Sequence, residues 1–284
     1  MKSKKRKEMF RNSGRWIEFN TGLSLASCLA LALAPASAQA KRSCEEMEAF
    51  MRNAKMNVLN RLIAVMDDGS MQHRVFVHTN DASNTLFQSQ RGAELTYRDT
   101  WKANVAAYEL AKILEINIMP PYVEGNVDGK RASLSWGLDD VIMDDVQRQQ
   151  RKVQPPDLEA WNKQMYVVRV FDELIYDGRA PSDLLITRDW QMWIIGPSQG
   201  FRPNKTIQNP KNLVKCDRKL LAKMRTLDKD VLMSKLGNWL TREEIEALHA
   251  RAGKIVEFFD REVAAKGEAA VLFDLDRSGV PCAL

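Results

Sequence analysis

A short polar loop, residues 177–183, carries the side chains best suited to chemistry. Asp177, Arg179 and Asp183 are charged, and apolar segments flank the loop on both sides. The carboxylate of Asp183 could ligate a hard cation, and that of Asp177 could accept a proton. The alternative interpretation is that both are solvated loop aspartates without a chemical role.

Regular elements on both sides would position this loop. An amphipathic helix is predicted to begin near its N-cap residue Asp157 and to end with the apolar segment 170–175. After the loop, residues 184–187 and 190–195 predict two short apolar strands. The charged loop is therefore expected to join a long helix to a strand pair.

The helix, loop and strand pair together resemble a known family. The run 161–176, the loop and the strands that follow are similar to bacterial HipA-like and phosphoinositide-kinase-like kinase-fold proteins. Their loop reads approximately N-x-D-R-N-x-x-N, and a later turn begins with Asp-His. The resemblance implies an α+β, two-lobed protein-kinase-like fold with a small β-rich N-terminal lobe and a mainly helical C-terminal lobe.

Most of the positions that carry chemistry in this family are replaced. With Asp183 at the position of the last Asn, Gly178 occupies the catalytic Asp position, Arg179 matches, and Ala180 replaces the next Asn. Gly196 falls at the second metal-holding position, after the strands. Kinases rely on these side chains to accept a proton and to hold Mg²⁺. Loss of a general base alone costs about 10²–10⁴ in rate, so ordinary turnover is not expected.

The small lobe preserves the framework better than the chemistry. Residues 122–136 predict a hairpin that turns at Asp128–Gly129, and residues 101–115 predict the helix before it. In the family, a Glu near the start of that helix orients a Lys on an earlier strand. Asn104 stands at the expected Glu position, Glu109 is the nearby carboxylate, and the strand candidate 74–78 contains no Lys.

An acidic stretch marks the expected junction between the lobes. The four carboxylates of Asp139, Asp140, Asp144 and Asp145 do not have the spacing of a Ca²⁺ loop. A solvated linker is therefore predicted there. We expect an N-terminal lobe over residues 41–152 and a C-terminal lobe over residues 153–284, whose last long helix begins at the capping box of Thr241 and Glu244.

The N-terminus has the features of a cleavable secretory leader. Seven Lys and Arg residues precede an apolar run, residues 23–34, and Ala38-Gln39-Ala40 is a small-residue cleavage site. Residues 1–40 are thus predicted to be a signal peptide. The protein would then be exported to a periplasmic or extracellular location, without a stable membrane span after cleavage.

Removal of this leader changes the charge of the protein. The chain has 42 Lys and Arg against 37 Asp and Glu, and residues 1–40 hold seven of the former and two of the latter, which leaves 35 of each. Nucleic-acid binding depends on an excess of cationic side chains. A nucleic-acid partner is therefore not expected.

Three cysteines remain in the predicted mature chain: Cys44, Cys216 and Cys282. An oxidising compartment permits one disulfide among them and leaves one thiol unpaired. A bridge between Cys44 and Cys282 would fasten the two ends, but the pairing stays open.

Three hypotheses follow for the function. The first is an exported, catalytically impaired pseudokinase that binds a protein or small-molecule partner in its cleft. The second is an active but atypical phosphotransferase that uses ATP and Mg²⁺ with Asp177 or Asp183. The third is a purely structural or interaction domain. Only the second requires a cofactor.

Overall fold

The computed structural model describes residues 42–88 and 94–276, and the side chains of all of these except 83–88 and 94–97. The predicted leader and Cys282 lie outside these residues.

Eight helices and twelve strands are found in the described residues. The helices are α1 (Cys44–Asn53), α2 (Trp101–Ile113), α3 (Asp145–Arg151), α4 (Leu158–Ile175), α5 (Arg218–Arg225), α6 (Lys229–Leu236), α7 (Arg242–Lys266) and α8 (Glu268–Val271). The strands are β1 (Lys55–Asn60), β2 (Ile63–Asp67), β3 (Gln72–His78), β4 (Asp81–Gln88), β5 (Glu94–Thr100), β6 (Tyr122–Val127), β7 (Lys130–Trp136), β8 (Val141–Asp144), β9 (Leu184–Thr187), β10 (Met192–Ile194), β11 (Cys216–Asp217) and β12 (Leu272–Phe273).

The small lobe is built on an antiparallel sheet with the strand order β1-β2-β3-β7-β6. One face of the sheet packs against α1, where Phe50 and Met51 join a core with Val75, Leu134 and Trp136. Because side chains alternate along a strand, the intervening residues face the other way. Helix α2 packs against β6 and β7 on that second face, where Asn104 donates a hydrogen bond to Ser133.

The predicted β6–β7 hairpin is confirmed. Asp128 and Gly129 have φ angles of +51° and +79°, the left-handed conformation that a tight hairpin turn requires and that Asp-Gly adopts readily. Val127 pairs with Lys130 across the turn. Helix α2 begins at the predicted residue and ends two residues earlier than expected, at Ile113.

The large lobe is mainly helical, and its apolar core continues into α2 of the small lobe. Trp161, Val168 and Phe171 on α4 join Ile245 and Leu248 on α7 in one buried cluster. The predicted caps are present, since Asp157 accepts the backbone N–H of Ala160. At the start of α7, Thr241 and Glu244 form the expected capping box.

The prediction of a solvated linker after β7 is wrong for Asp144 and Asp145, whereas Asp139 and Asp140 are exposed as expected. Strand β8 pairs with β9, and Asp144 caps α3 by accepting the backbone N–H of Gln147 at 2.7 Å. Asp145 is buried and accepts a hydrogen bond from Arg148 at 2.6 Å. The buried side chain of Met143 holds β8 against the core, so the carboxylate of Asp144 serves as a helix cap and that of Asp145 as an ion-pair partner.

Polar contacts join the two lobes. Arg98 on β5 forms a buried ion pair with Glu244 on α7. Glu115, just after α2, pairs with Lys219 on α5 at 2.6 Å. The indole N–H of Trp239 donates to Glu124 on β6 at 3.2 Å.

None of the helices in the described ranges combines the length and the apolar character that a bilayer span requires.

Candidate functional site

The polar loop begins where α4 ends at Tyr176. Tyr176 has a φ of +57°, and its backbone N–H bonds to the carbonyls of Asp172 and Glu173. This left-handed residue terminates the helix. The next backbone N–H, that of Asp177, donates to the carbonyl of Asp172 at 2.9 Å. The loop therefore folds back over the last turn of α4.

Arg179 is the centre of this loop. Its guanidinium donates to Asp172 Oδ1 through Nη2 at 2.6 Å and through Nε at 2.9 Å. The same Nη2 lies 3.0 Å from Asp177 Oδ2. All three charged side chains are largely buried. Asp177 is thus not the solvated loop aspartate of the simpler prediction, because it is held in an ion pair that Arg179 shares between two carboxylates.

The second predicted carboxylate belongs to Asp183, the last residue of the loop, which lies beside the end of β10. Its backbone carbonyl accepts the N–H of Ile195 at 2.9 Å, so the residue adjoins the turn that begins at Gly196. The side chain is half-buried and accepts a hydrogen bond from Ser182 Oγ at 3.2 Å. Among the charged residues of the loop, Asp183 is the one with a partly open carboxylate.

Gly196 connects this loop region to the small lobe. Its backbone N–H donates to the hydroxyl oxygen of Tyr122 at 3.0 Å, and its φ is +59°. A Cβ at this position would meet no other atom within 4 Å. The turn therefore has room for a side chain but adopts a backbone conformation that favours glycine, and it supplies no side-chain oxygen.

Gly178 and Ala180 occupy the two remaining positions of the loop that align with the family motif. A Cβ on Gly178 would meet Gln208 Nε2 at 3.7 Å and no other atom within 4 Å. Ala180 accepts the backbone N–H of Asp183 at 2.9 Å. The structure thus places Asp177, Arg179, Asp183 and the Gly196 turn in one region, at the junction of the two lobes.

Burial raises the pKa of three aspartates in this region. The pKa of Asp172 rises to about 6 because burial outweighs the attraction of Arg179. The pKa of Asp177 is raised chiefly by burial, against the attraction of Arg179. Burial also raises the pKa of Asp183. A buried carboxyl group is therefore stabilised either by protonation or by a cationic partner.

The small lobe contributes a row of paired residues to the same junction. Across the sheet, Tyr122 pairs with Ser135, Ser135 with Phe76, and Phe76 with Ile63. Directly opposed residues share a face of the sheet, so Phe76 and Ile63 lie on the face from which Tyr122 reaches Gly196. Phe76 is 39% exposed. The middle of β3 therefore presents an aromatic ring on this face.

Helix α2 and strand β3 are not joined by a Lys–Glu pair in the described part of the chain. At the position expected for a Glu, Asn104 bonds Ser133 at 3.0 Å. Glu109 pairs with Lys112 of its own helix at 2.8 Å. Arg74, two residues before Phe76 on β3, has its guanidinium carbon 5.5 Å from the Phe76 ring centre.

Three residues that position the site carry no local sequence signal. Asp172 accepts a hydrogen bond from Arg179. The buried Glu173 accepts hydrogen bonds from the backbone N–H groups of Gln208 and Asn209, each at 2.9 Å. Arg251 on α7 is fully buried and donates to the carbonyl of Leu174 at 2.8 Å. Their partners lie between 7 and 77 residues away in the chain, which a local pattern does not reveal.

Within residues 42–88 and 94–276, no group of three or more His, Cys, Asp or Glu side chains is arranged to hold a metal ion. Asp139, Asp140, Asp144 and Asp145 accordingly form no such group.

The fold matches known kinase structures, although the sequence matches no protein-family model and no curated protein. The hydra Fam20 structure with sugar aligns with a TM-score of 0.58 at 12% identity, covering 81% of this chain and 92% of that one. The Golgi casein kinase aligns with a TM-score of 0.55 at 9% identity, covering 83% and 80%. Its complex with Mn and ADP gives a TM-score of 0.52 at 10% identity.

Such low identities establish the fold alone. The predicted α+β, two-lobed kinase-like fold is confirmed. The sheet lobe, the helical lobe and the polar loop at their junction are the parts from which a functional interpretation has to start.

Proposed function

We propose that this chain is an exported, HipA-like pseudokinase that binds a protein or small-molecule partner in its interlobe cleft. The observation that carries the proposal is the Gly196 turn. A kinase needs a carboxylate after these strands to hold Mg²⁺, whereas here the turn offers a backbone N–H that Tyr122 already accepts.

The state of Asp177 supports the same proposal. A general base must present a free carboxylate to the substrate hydroxyl. The carboxylate of Asp177 is buried and 3.0 Å from Arg179 Nη2, and the matching position of the family motif is Gly178. Proton transfer to Asp177 would have to break this ion pair, which leaves the loop without an available base.

The aromatic side chain on β3 also argues against ordinary nucleotide binding. Kinases place a Lys on this strand to hold the nucleotide phosphates. Phe76 occupies the middle of β3 on the face shared with Tyr122. With Asp183 as the remaining open carboxylate, the residues of the cleft do not fit a magnesium-bound triphosphate as a kinase binds one.

The basic helix α5 offers no support for a nucleic-acid partner. Its cations are paired with carboxylates: Arg218 with Glu268, Lys219 and Lys223 with Glu115, and Arg225 with Asp260. Because their charges are compensated, these side chains would not supply the phosphate contacts on which nucleic-acid affinity depends.

Export is supported by two observations of different kinds. The sequence of residues 1–40 has the n-region, apolar run and cleavage site of a secretory leader. Cys44 is disulfide-bonded, and disulfides persist mainly in oxidising compartments. We therefore propose a periplasmic or extracellular protein.

A second candidate function rests on Asp183. Its half-buried carboxylate beside the Gly196 turn is the open carboxylate among the described residues of the loop and could hold a cation, and a fold neighbour was solved with Mn and ADP. Under this alternative the chain is an atypical phosphotransferase. A purely structural domain, the third hypothesis, requires no ligand in the cleft.

Nucleotide binding and phosphate transfer by the mature protein separate these functions. Residues 41–284 form one compact unit and would be tested with ATP, ADP and Mg²⁺ by thermal shift, and with radiolabelled ATP for transfer. The pseudokinase proposal expects no transfer. Metal-dependent transfer that Asp183→Ala abolishes, and that the exposed control Asp140→Ala retains, would overturn it.

A further inference from the structure

We infer that the tip of the β1–β2 hairpin, residues 59–62, is a docking surface for an anionic lipid membrane. The tip lies outside the polar loop, and the inference goes beyond the proposed function because it does not depend on what the cleft binds. It rests on two exposed leucines, an arginine between them, and the hydrogen bonds that hold the turn.

Exposed apolar side chains are concentrated at this corner of the sheet. Leu59 and Leu62 are 59% and 54% exposed. Phe76, which pairs with Ile63 directly after the tip, is also exposed. These are three of the eight large apolar side chains that are exposed in the described part of the chain. Single exposed apolar residues are common on proteins, whereas a group of them at one place indicates a contact surface.

The backbone of the tip is satisfied internally. Asn60 Oδ1 accepts the backbone N–H groups of Leu62 and Ile63 at 2.9 and 3.0 Å. The carbonyl of Leu62 accepts the N–H of Val77 on β3 at 2.8 Å. The turn is therefore held firmly against the sheet. Because an unsatisfied backbone group is costly in lipid, these bonds suit the tip to contact with a bilayer.

The tip also carries positive charge. Arg61 separates the two leucines and forms no ion pair with a carboxylate of the described residues. Arg74 has its guanidinium carbon 5.5 Å from the centre of the Phe76 ring, and it too lacks a carboxylate partner among the described side chains. The corner is thus both apolar and cationic, which is the combination that an anionic membrane surface attracts.

The carboxylates that follow β3 already have partners. Asp99 contacts His78 at 2.9 Å, and Asp81 pairs with Lys102 at 2.9 Å. Because these carboxylates are engaged elsewhere, the guanidinium of Arg61 is available to an anion.

A lipid surface fits this tip better than a protein does. Three partly exposed side chains fall well short of the roughly 800 Å² that each partner buries in a standard protein interface. A projecting turn can enter the headgroup region without a complementary cavity. The leucines would reach toward the acyl chains while Arg61 keeps its guanidinium among the headgroups. With so few side chains involved, the contact would be weak and reversible.

Docking through the tip would hold the junction between the lobes close to the membrane. Ile63 is connected to Tyr122 through the paired residues Phe76 and Ser135. Three strand spacings correspond to about 14 Å. The turn at Gly196, which Tyr122 contacts, would therefore lie near the lipid surface.

Vesicle sedimentation tests the inference directly. The chain of residues 41–284, which forms one compact unit without the predicted leader, would be mixed with vesicles of equal parts phosphatidylglycerol and phosphatidylcholine, or of phosphatidylcholine alone. We expect binding to the anionic vesicles that weakens between about 0.1 M and 1 M salt, as the Debye length falls from about 10 to 3 Å. Equal binding to both kinds of vesicle would overturn the inference. Absence of binding at the lower salt would also overturn it, and would favour a protein as the occupant.

Substitutions at the tip should weaken vesicle binding selectively. Leu59→Ser combined with Leu62→Ser should lower it at least about tenfold, because more than half of each side chain is available to enter lipid. Arg61→Gln should lower it about fivefold. The matched controls are Leu158→Ser, at a leucine that is 57% exposed on α4, and Lys254→Gln, at an exposed cation of α7. Equal losses in tip and control variants would refute the assignment to the tip.

Sedimentation velocity without lipid separates the lipid surface from a second copy of the chain. The parent and the double leucine variant should sediment alike, and all variants should unfold within about 2 °C of the parent because the substituted side chains are exposed. Self-association of the parent that the double leucine variant abolishes would assign the tip to a second copy and overturn the lipid surface.

Discussion

The hydroxyl oxygen of Tyr122 accepts the backbone N–H of Gly196 at 3.0 Å, across the junction between the two lobes. Tyr122 begins β6, the first strand of the β6–β7 hairpin. Gly196 lies just after β10, the second strand of the β9–β10 hairpin that follows the polar loop. The contact therefore fixes the two hairpins relative to each other. It also places a small-lobe side chain against the turn on which the proposed function rests.

Removal of this hydroxyl should destabilise the protein measurably. Tyr122→Phe removes the acceptor of the Gly196 N–H, and because Gly196 is exposed the cost is that of one net hydrogen bond, about 0.5–1.5 kcal/mol. Urea unfolding should show this loss, and amide exchange at Gly196 should become faster. Tyr166→Phe is the matched control, since Tyr166 is half-buried and the change should cost under about 0.5 kcal/mol. Equal effects of the two changes would contradict the structural role of the contact.

A carboxylate placed at residue 196 should create a cation site with Asp183. Both Gly196→Asp and Gly196→Ala impose a side chain on a backbone with φ of +59°, at a cost of about 1–2 kcal/mol. Mg²⁺ should raise the Tm of the Asp variant alone. Phosphate transfer should remain absent from both variants, because Asp177 stays paired with Arg179. No Mg²⁺ response in the Asp variant would show that residues 183 and 196 do not face one site, and a response in the Ala variant would show that the cation binds without a carboxylate at residue 196.

The parts of the fold that were predictable from sequence are those with local causes. Asp128–Gly129 specifies a turn through its own backbone preferences, and Thr241 with Glu244 specifies a helix start within three residues. The positions predicted for this turn and for the start of α7 are accordingly confirmed. The strand predicted over 190–195 is shorter, Met192–Ile194, because Trp190 adopts a φ of +63° in the turn, a conformation that its residue type does not signal.

The electrostatic arrangement of the site could not be predicted in this way. Asp177 is charged and lies in a polar loop, which favours solvation, yet it forms a buried ion pair with Arg179, which also pairs with Asp172. Whether a loop carboxylate is buried depends on how the loop folds over the helix before it. The sequence identified the charged residues but not which of them neutralise one another.

Loss of charge at Glu244 should destabilise the contact between the lobes strongly. Glu244→Gln keeps the capping box of α7, which accepts Glu or Gln, but leaves the buried guanidinium of Arg98 without its counter-charge. Breaking a buried pair from one side costs about 3–5 kcal/mol. The control is Glu246→Gln, which removes an exposed pair with Arg242 and should have little effect, because water and salt screen such a pair. Similar losses in urea unfolding for the two variants would argue against a buried, unscreened pair.

The pH dependence of stability should report the raised pKa of Asp172. Its pKa of about 6, against an ordinary value near 3.8, means that the folded protein binds this proton more tightly than the unfolded chain. The resulting stabilisation is complete below about pH 4 and is lost as the pH rises through 6, an effect of roughly 2–3 kcal/mol. Asp172→Asn cannot lose a proton, so its free energy of unfolding relative to the parent should increase by that amount between pH 4 and 6.5.

Glu115→Gln is a control of opposite sign, because Lys219 and Lys223 hold the pKa of Glu115 at about 2. The stabilisation by its carboxylate is present above about pH 4.5 and is lost as the pH falls toward 2, so the difference from the parent should change only in acid. A flat difference for Asp172→Asn over pH 4–6.5 would show instead that Arg179 keeps Asp172 ionised throughout.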